Sequence, residues 1–435
     1  GMHIGCYDIP AAFIHVIGVF THTVPTDAYR GAGRPEAAYM IERLIDKVGR
    51  ETGLGAAEIR KRNFVTSAQM PYSSCLGLTY DSGDFERNMV DAMADAEWDG
   101  FAARKAQSEK AGKLRGIGMS YYIEICGGAP SVPALLRFED DDSVTAIITT
   151  QSNGQGHETA YSQIIADRLG VPYDKINVRQ GDTALIKTGS FTGGSRSVPV
   201  GGVSAQMASD AIIEKGKAVA AELLEAAEAD IEFKEGEYVI AGTDRKTDIT
   251  SVARAWRERH SGEDSLLGAF AEFAPEAATF PNGCHICEVE VDPDSGGVEI
   301  VRYTVVDDFG KVINPLLLTG QVHGGIGQGV GQALHEGVVY DEDGQLVTGS
   351  FMDYGMPRAD YSPPIAFRWN EIPCKTNPLG IKGCGEAGAI GAPPALINAI
   401  YDALVDLGVD RIDMPATPRA VWSAIQKARM PQAAE

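Results

Sequence analysis

Apolar and polar positions divide the chain into many short elements. Residues 4–24 carry apolar runs that predict one or two strands, ending in the loop THTVPTDAYRGAGRP. A helix is predicted from Pro35, a residue suited to a first helical turn, with Ile41, Leu44, Ile45 and Val48 as its apolar stripe. Gly53 and Gly55 interrupt it, AAEIRKRNF forms a short second helix, and residues 84–110 predict one further charged helix. From Gly116 the pattern turns to strands: GIGMSYYIEI, PALLRF and VTAIITTQ, with the acidic run Asp140, Asp141, Asp142 as a solvated hairpin tip. HETAYSQIIADRLG then predicts a helix and INVRQGD a strand. A long helix over about 202–228 places Ala208, Ile212, Val219 and Leu223 on one face, and EFKEGEYVIAG is a hairpin turning at Glu235 and Gly236.

Residues 240–280 are polar and irregular and form a candidate boundary. HICEVEVDPDSGGVEIVRYTVVDD is a strong hairpin, alternating on both sides of DPDSGG. Helices are predicted near 313–336, 393–407 and 417–428, the last two with stripes Leu396, Ile400, Leu404, Leu407 and Val421, Ile425. Strands and helices mix without a regular βαβ cadence, which predicts an α+β fold rather than a doubly wound sheet.

The chain has 435 residues, about three domain-lengths, with 44% hydrophobic and 23% charged positions, as in a soluble globular chain. Its net charge of −22 repels phosphate backbones and excludes nucleic acid as a partner. The first twenty residues have no basic segment and no apolar span of membrane length, so neither signal peptide nor anchor is expected. Seven cysteines, an odd number in a large chain, point to a reducing cytoplasm rather than a disulfide scaffold.

Candidate chemistry starts at GIKGCGEAGAIGAPPA, residues 380–395. Gly383, Gly385 and Gly388 spell G-x-G-x-x-G, but a dinucleotide fold needs a buried strand before the first glycine, and EIPCKTNPLGIK, with two prolines, precedes it. A second reading is a glycine-lined socket around Glu386, where a dry loop raises the carboxyl pKa towards general-base work. A third is a structural glutamate capping the next helix. Four other glycine clusters, at 28–37, 151–159, 187–202 and 320–337, each open a predicted helix. With Gln155 and Gln328 among them, they predict a large, polar, phosphate-bearing ligand held mainly by main chain.

Other motifs carry less. Cys284 and Cys287 lie three apart on a strand, so they face opposite sides and do not share a metal. There is no Walker A loop and no G-x-S-x-G elbow. Arg196 is a phosphate ligand or an ordinary ion-paired arginine, His323 and His335 are packing or surface residues, and His157 stands close to Gln155. Cys384 reads as a small filler.

AYRGAGRPEA, NGQGHET, TGGSRS, GGIGQGVGQALHEG and GCGEAG, in this order, resemble the molybdenum-binding subunit of the xanthine dehydrogenase, aldehyde oxidase and carbon monoxide dehydrogenase large-subunit family. The resemblance runs from about residue 5 to 427 and covers the C-terminal half of a family subunit. It implies two intertwined mixed α/β subdomains, 1–112 with 265–435 and 113–264. It matches Glu386 to the family's catalytic base, which deprotonates a molybdenum-bound hydroxyl whose oxygen attacks an electron-poor carbon while hydride passes to a sulfido ligand. Ala28, Tyr29, Arg30 and Gly31 match the loop facing the metal's oxo side. Gly154, Gln155 and Gly156 match a pterin-binding loop. Gly193, Gly194, Ser195, Arg196 and Ser197 match the loop around the pterin and its phosphate. Gln328 matches the pterin's far edge, Gly385 flanks the base, and Ala32 falls where xanthine oxidisers carry an aromatic that sandwiches substrate.

The resemblance therefore implies an aldehyde or N-heterocycle hydroxylase. Its molybdopterin, with the cytosine dinucleotide form among the options, has a metal held by pterin dithiolene rather than by protein ligands. The partners it implies are a chain supplying the N-terminal half, a 2Fe-2S subunit and an FAD subunit. Two departures count: Gly31 replaces the cysteine of carbon monoxide oxidisers, and Ala32 replaces the aromatic clamp. The family's G-G-x-F-G-type loop and the iron–sulfur pattern C-x₄-C-x₂-C are also missing. The chain then reads as one gene of a split enzyme or as a fragment. Rival readings are an assembly module of the same fold lacking cofactor by itself, and an NAD-dependent oxidoreductase using Gly383–Gly388.

Overall fold

The computed structural model describes residues 1–128, 130–262, 265–361 and 364–430. Along the chain come α1 (Arg34–Glu51), α2 (Gly55–Asn63), the two-residue strands β1 (Tyr72–Ser73) and β2 (Thr79–Tyr80), α3 (Phe85–Asp95), α4 (Phe101–Lys110) and β3 (Leu114–Ile123). Then follow β4 (Ala134–Phe138), β5 (Val144–Ile148), α5 (His157–Leu169), β6 (Ile176–Gln180), α6 (Val203–Leu224), β7 (Ile231–Lys234), β8 (Glu237–Ile240), β9 (Lys246–Asp248), α7 (Ile249–Arg259) and β10 (Gly268–Ala271). The chain continues through β11 (Asn282–Val291), β12 (Val298–Asp308), α8 (Pro315–Leu334), β13 (Ile365–Asn370), α9 (Ala387–Leu404) and α10 (Pro418–Arg429).

Two four-stranded mixed sheets organise these elements into an α+β fold, in the orders β13-β12-β11-β3 and β10-β4-β5-β6. In the first, β11 runs antiparallel to β3 and β12, and β12 runs parallel to β13. In the second, β4 is antiparallel to β10 and β5, while β5 and β6 are parallel. The strand at 114–123 thus pairs along its whole length with β11, so a unit boundary at 113 would cut it from its partner. The expected unit ends at 264 and 435 lie outside the described residues.

Helix α9 is the axis of the first unit. It packs on β3, β11, α8 and α1, and Ile390, Leu396, Ile397 and Ile400 are fully buried. A Cβ at Gly118 would sit 2.2 Å from the Ala395 carbonyl oxygen, so only glycine lets the helix lie directly on the strand. By length and composition this helix could cross a membrane, but 83% of its apolar window is buried inside the fold, as in the core of a large protein. On the other large sheet pack α5 and α6, with α7 against α6, around Leu136, Phe138, Tyr161, Ile165 and Ile212.

The structure departs from the sequence pattern at definite places. The helix expected over 84–110 breaks at Glu97, whose left-handed backbone (φ 49°) turns the chain between α3 and α4. Helix α9 starts six residues before Pro393, and both Pro393 and Pro394 lie inside it. The polar bridge at 240–280 holds α7, which buries Ile249, Val252, Ala253 and Ala255. Leu44 and Leu223 are exposed, and the α6 stripe ends on Leu224 instead. Cys284 and Cys287 enter different hydrophobic clusters on opposite faces of β11.

Residues 11–27 form no strand, although their sequence has strand character. Among the described residues no strand pairs with them, and Phe13, Val16, Ile17, Val19 and Phe20 face outward. This strap touches the segment after α8 through Val24 N–H to the Tyr340 hydroxyl at 3.1 Å, and Phe351 and Met352 there are exposed too.

Candidate active site

The glycine clusters and Glu386 converge on one cavity of about 710 Å³. Arg30, Gly154, Gln155, Gly156, Gly193, Gly194, Ser195, Ser197, Gln328, Gly385 and Glu386 all line it, drawn from segments spread between residues 30 and 386. Gly31 sits just behind the wall. Ala28, Tyr29, Ala32 and Arg196 do not line the cavity.

Glu386 is the residue before α9, but its side chain does not cap that helix. One carboxylate oxygen accepts the Gly31 N–H at 3.0 Å and the other accepts the Ser195 hydroxyl at 2.7 Å. The chain presents both donors through unusual backbone. Gly31 (φ 103°) belongs to a left-handed run with Ala32 (φ 41°) and Gly33 (φ 94°), and Ser195 is itself left-handed (φ 49°). Such strained, donor-bearing turns form anion nests.

These contacts overturn one expectation. Burial alone raises the Glu386 carboxyl, as the dry-socket argument holds, but the neighbouring Glu124 carboxyl and the Ser195 and Gly31 hydrogen bonds outweigh it and hold the group below its ordinary value. The raised carboxyl is Glu124, driven well above its usual range by burial and then by the nearby Glu386 charge. Sequence reasoning missed Glu124 inside the strand run GIGMSYYIEI. The available signal was a charge between two isoleucines in a stretch buried on both faces.

Arg30 ties the loops together. Its Nε donates to the Gly385 carbonyl at 2.5 Å, Nη1 to Gln328 Oε1 at 2.8 Å, and Nη2 to both Gln321 oxygens at 3.1 Å. Gln321 and Gln328 are seven apart on α8 and therefore share a face, a spacing that identifies Gln321 from sequence. Arg196 stacks on Phe191 at 5.2 Å and donates to Ser190 at 2.9 Å, so it braces the 187–192 loop. Thr192 N–H in turn bonds Gln151 at 3.1 Å, joining that loop to the 151–156 turn. His157 opens α5, is buried, and contacts Gln180 Nε2 through Nδ1 at 3.1 Å.

The glycines of 383–388 have structural duties. A Cβ at Gly383 would meet the Ser195 carbonyl oxygen at 2.3 Å, and one at Gly388 the Val322 carbonyl oxygen at 2.4 Å. The loop follows an irregular stretch rather than a strand, so it is not the mouth of a βαβ unit. On the cavity wall Glu386 is the one acidic group among the described residues, beside Arg30, Lys311 and Lys382. Lys382 is buried and paired with Asp308 at 2.5 Å, whereas the Lys311 ammonium has no hydrogen bond or ion pair among the described residues. A strongly acidic protein thus keeps a locally basic, amide-rich chamber.

Comparisons with known proteins bear on the family and the fold. Residues 91–363 and 1–64 match two molybdopterin cofactor-binding domain families. The chain is 36% identical to the nicotine 6-hydroxylase large subunit of Paenarthrobacter nicotinovorans, over 97% of this chain and 53% of the relative. It is 34% identical to the carbon monoxide dehydrogenase large chain of Hydrogenophaga pseudoflava, over 97% of this chain and 55% of the relative. Quinoline 2-oxidoreductase from Pseudomonas putida 86 superposes with a TM-score of 0.91 at 34% identity, covering 98% of this chain and 56% of that one. The chain therefore spans about half the length of the relatives it matches. By its ordered loops, its fold and these matches, it belongs to the molybdenum-binding large subunits of the xanthine dehydrogenase and carbon monoxide dehydrogenase family.

Proposed function

We propose that this chain is the C-terminal half of the catalytic subunit of a molybdenum hydroxylase that oxidises an aldehyde or an N-heterocycle, with Glu386 as the base. One observation carries the reading: loops far apart in sequence close around one chamber, and Glu386 lies on its wall. The names of two relatives, a nicotine 6-hydroxylase and a quinoline 2-oxidoreductase, favour an N-heterocycle. Gly31, where carbon monoxide oxidisers carry cysteine, argues against carbon monoxide.

The residues present fit a molybdopterin. The wall offers main-chain N–H groups of glycine turns, the amides of Asn153, Gln155, Gln321 and Gln328, and the uncommitted Lys311 ammonium for a phosphate. Among the described residues no group of three His, Cys, Asp or Glu side chains could hold a metal ion; in this reading the metal is held by the cofactor's own ligands. When bound, the cofactor supplies two-electron redox and oxygen-transfer chemistry. Gln155 and Gln328 orient it, Arg30 fixes the loop that meets it, and the buried Glu386 accepts a proton at its carboxylate. A positioned base of this kind contributes on the order of 10²–10⁴ in rate.

In this reading the site is completed by the subunit's N-terminal half, and electrons leave through 2Fe-2S and FAD subunits. The exposed apolar strap at 13–20 supports such a partner face. Seven free cysteines agree with a reducing cytoplasm. The test is purification with co-expressed neighbouring subunits, metal and pterin analysis, and turnover on a panel of N-heterocycles and aldehydes. Stoichiometric molybdenum with activity supports the reading; a stable, metal-free complex that retains NAD overturns it.

A further inference from the structure

We propose that Glu124 and Glu386 form a carboxyl pair holding a single proton, carried by Glu124, which donates its O–H to the Glu386 carboxylate and acts as a positioning residue for it. The inference rests on the reading of Glu386 as the base.

Glu124 follows β3 directly, its N–H bonds the Pro281 carbonyl at 2.8 Å, and its side chain is completely buried. Arg34 bridges the Ile125 and Gly31 carbonyls, Gly383 N–H reaches Cys126 Sγ at 3.2 Å, and Gly31 N–H reaches Glu386, so the segment at the end of β3 lies against the loop of Glu386 and the two buried carboxyls are neighbours. Their surroundings differ sharply. Glu386 accepts Gly31 N–H and Ser195 O–H, whereas neither oxygen of Glu124 receives an N–H or hydroxyl hydrogen among the described residues. Ser195 is also close to Glu124, but its single hydrogen is engaged by Glu386. Adjacent buried carboxyls do not both ionise, and the charge settles where donors already wait. Glu386 therefore carries the charge and Glu124 the proton.

The other charged neighbours leave this assignment intact. Arg34 gives Nη2 to the Ile125 carbonyl at 2.8 Å and Nη1 to Gly31 and Ala32 carbonyls at 3.3 Å. Arg30 is bound to Gly385, Gln328 and Gln321, and Arg196 to Ser190. The thiols of Cys126 and Cys384 face the same region, and burial pushes both up, Cys384 to about 12, so they stay neutral. A neutral acid beside the base supplies a third donor without adding a competing charge.

The full chain can be tested by infrared difference spectroscopy at neutral pH in H₂O and D₂O, a readout that needs no cofactor. Wild type minus Glu124→Gln is expected to show loss of a protonated-carboxyl band that shifts in D₂O. Wild type minus Glu386→Gln should show loss of carboxylate bands with the acid band kept. Asp307, another buried carboxyl raised by desolvation, cancels in both differences. An acid band that disappears with Glu386→Gln and survives Glu124→Gln overturns the proposal, as does loss of carboxylate bands in both variants. In the assembled enzyme, Glu124→Gln keeps a neutral donor and should exceed Glu124→Leu about 10- to 100-fold in kcat/KM, the usual cost of losing an orienting partner. Glu124→Leu should also move the acid limb of the pH profile upward. Equal rates and equal pH profiles in the two variants, with both folded by circular dichroism, overturn the positioning role. A metal-free protein with the expected infrared pattern would instead count against the hydroxylase reading alone.

Discussion

Ser195 donates its hydroxyl to Glu386 at 2.7 Å across 191 residues of sequence. Its backbone there is left-handed (φ 49°). That donation stabilises the carboxylate and helps hold its pKa below the ordinary value, against burial, which acts to raise it. Removing the donor reverses the sign. In Ser195→Ala the Glu386 pKa rises, so the ionised base is lost at a higher pH as the solution is acidified. The acid limb of kcat/KM against pH should therefore move up, with the rate at alkaline pH less affected. Ser195→Gly relieves the backbone but also lacks the hydroxyl, and should show the same displacement.

Glu386→Gln removes proton acceptance while keeping shape and the Gly31 contact. Turnover should fall by on the order of 10²–10⁴, with molybdenum and pterin content unchanged in the assembled enzyme. Near-normal turnover would remove Glu386 from its role.

Arg30→Lys keeps the charge but lacks the fork that reaches Gly385, Gln328 and Gln321 together. Loss of these charge-assisted bonds should cost about 2 kcal/mol. Denaturant melts should register it, and the purified complex should retain less cofactor.

Two glycines separate packing from propensity. Gly388→Ala places a Cβ 2.4 Å from the Val322 carbonyl oxygen and 2.6 Å from Ile326 N, which forces α8 and α9 apart at about 1–3 kcal/mol. Gly320→Ala, on the open face of α8 with nothing within 4 Å, should stabilise by up to about 1 kcal/mol. Thermal unfolding of both variants checks the contrast.

Much of the chamber was legible because its walls are main chain. Glycine clusters at helix mouths mark backbone that must approach something closely, and Gln155, Gln328 and Glu386 stand inside them. Glu124 was illegible because a charge near a strand end looks like any turn residue until both faces of the strand are known to be buried. At the break only Gly100, three residues after Glu97, announces the turn, and a lone glycine in a charged run is easily read through as helix. Helix α7 was hidden by its polar composition, since its apolar face is narrow. Residues 11–27 show the reverse error, for alternation describes a strand's side chains but not the neighbour it needs. The proline pair at 393–394 reads as a helix start, while the fold tolerates it inside a helix clamped between β3 and α8.

The acid and its surroundings are mounted on different parts of the molecule. Glu386 stands at the root of the most deeply embedded helix, whereas Tyr29 and Ala32 hang on a solvent-facing turn. Because Gly31 between them holds the acid through its main-chain N–H alone, side chains at 29 and 32 can change while that contact stays; on the proposed reading one reaction can then be inherited while its clientele changes.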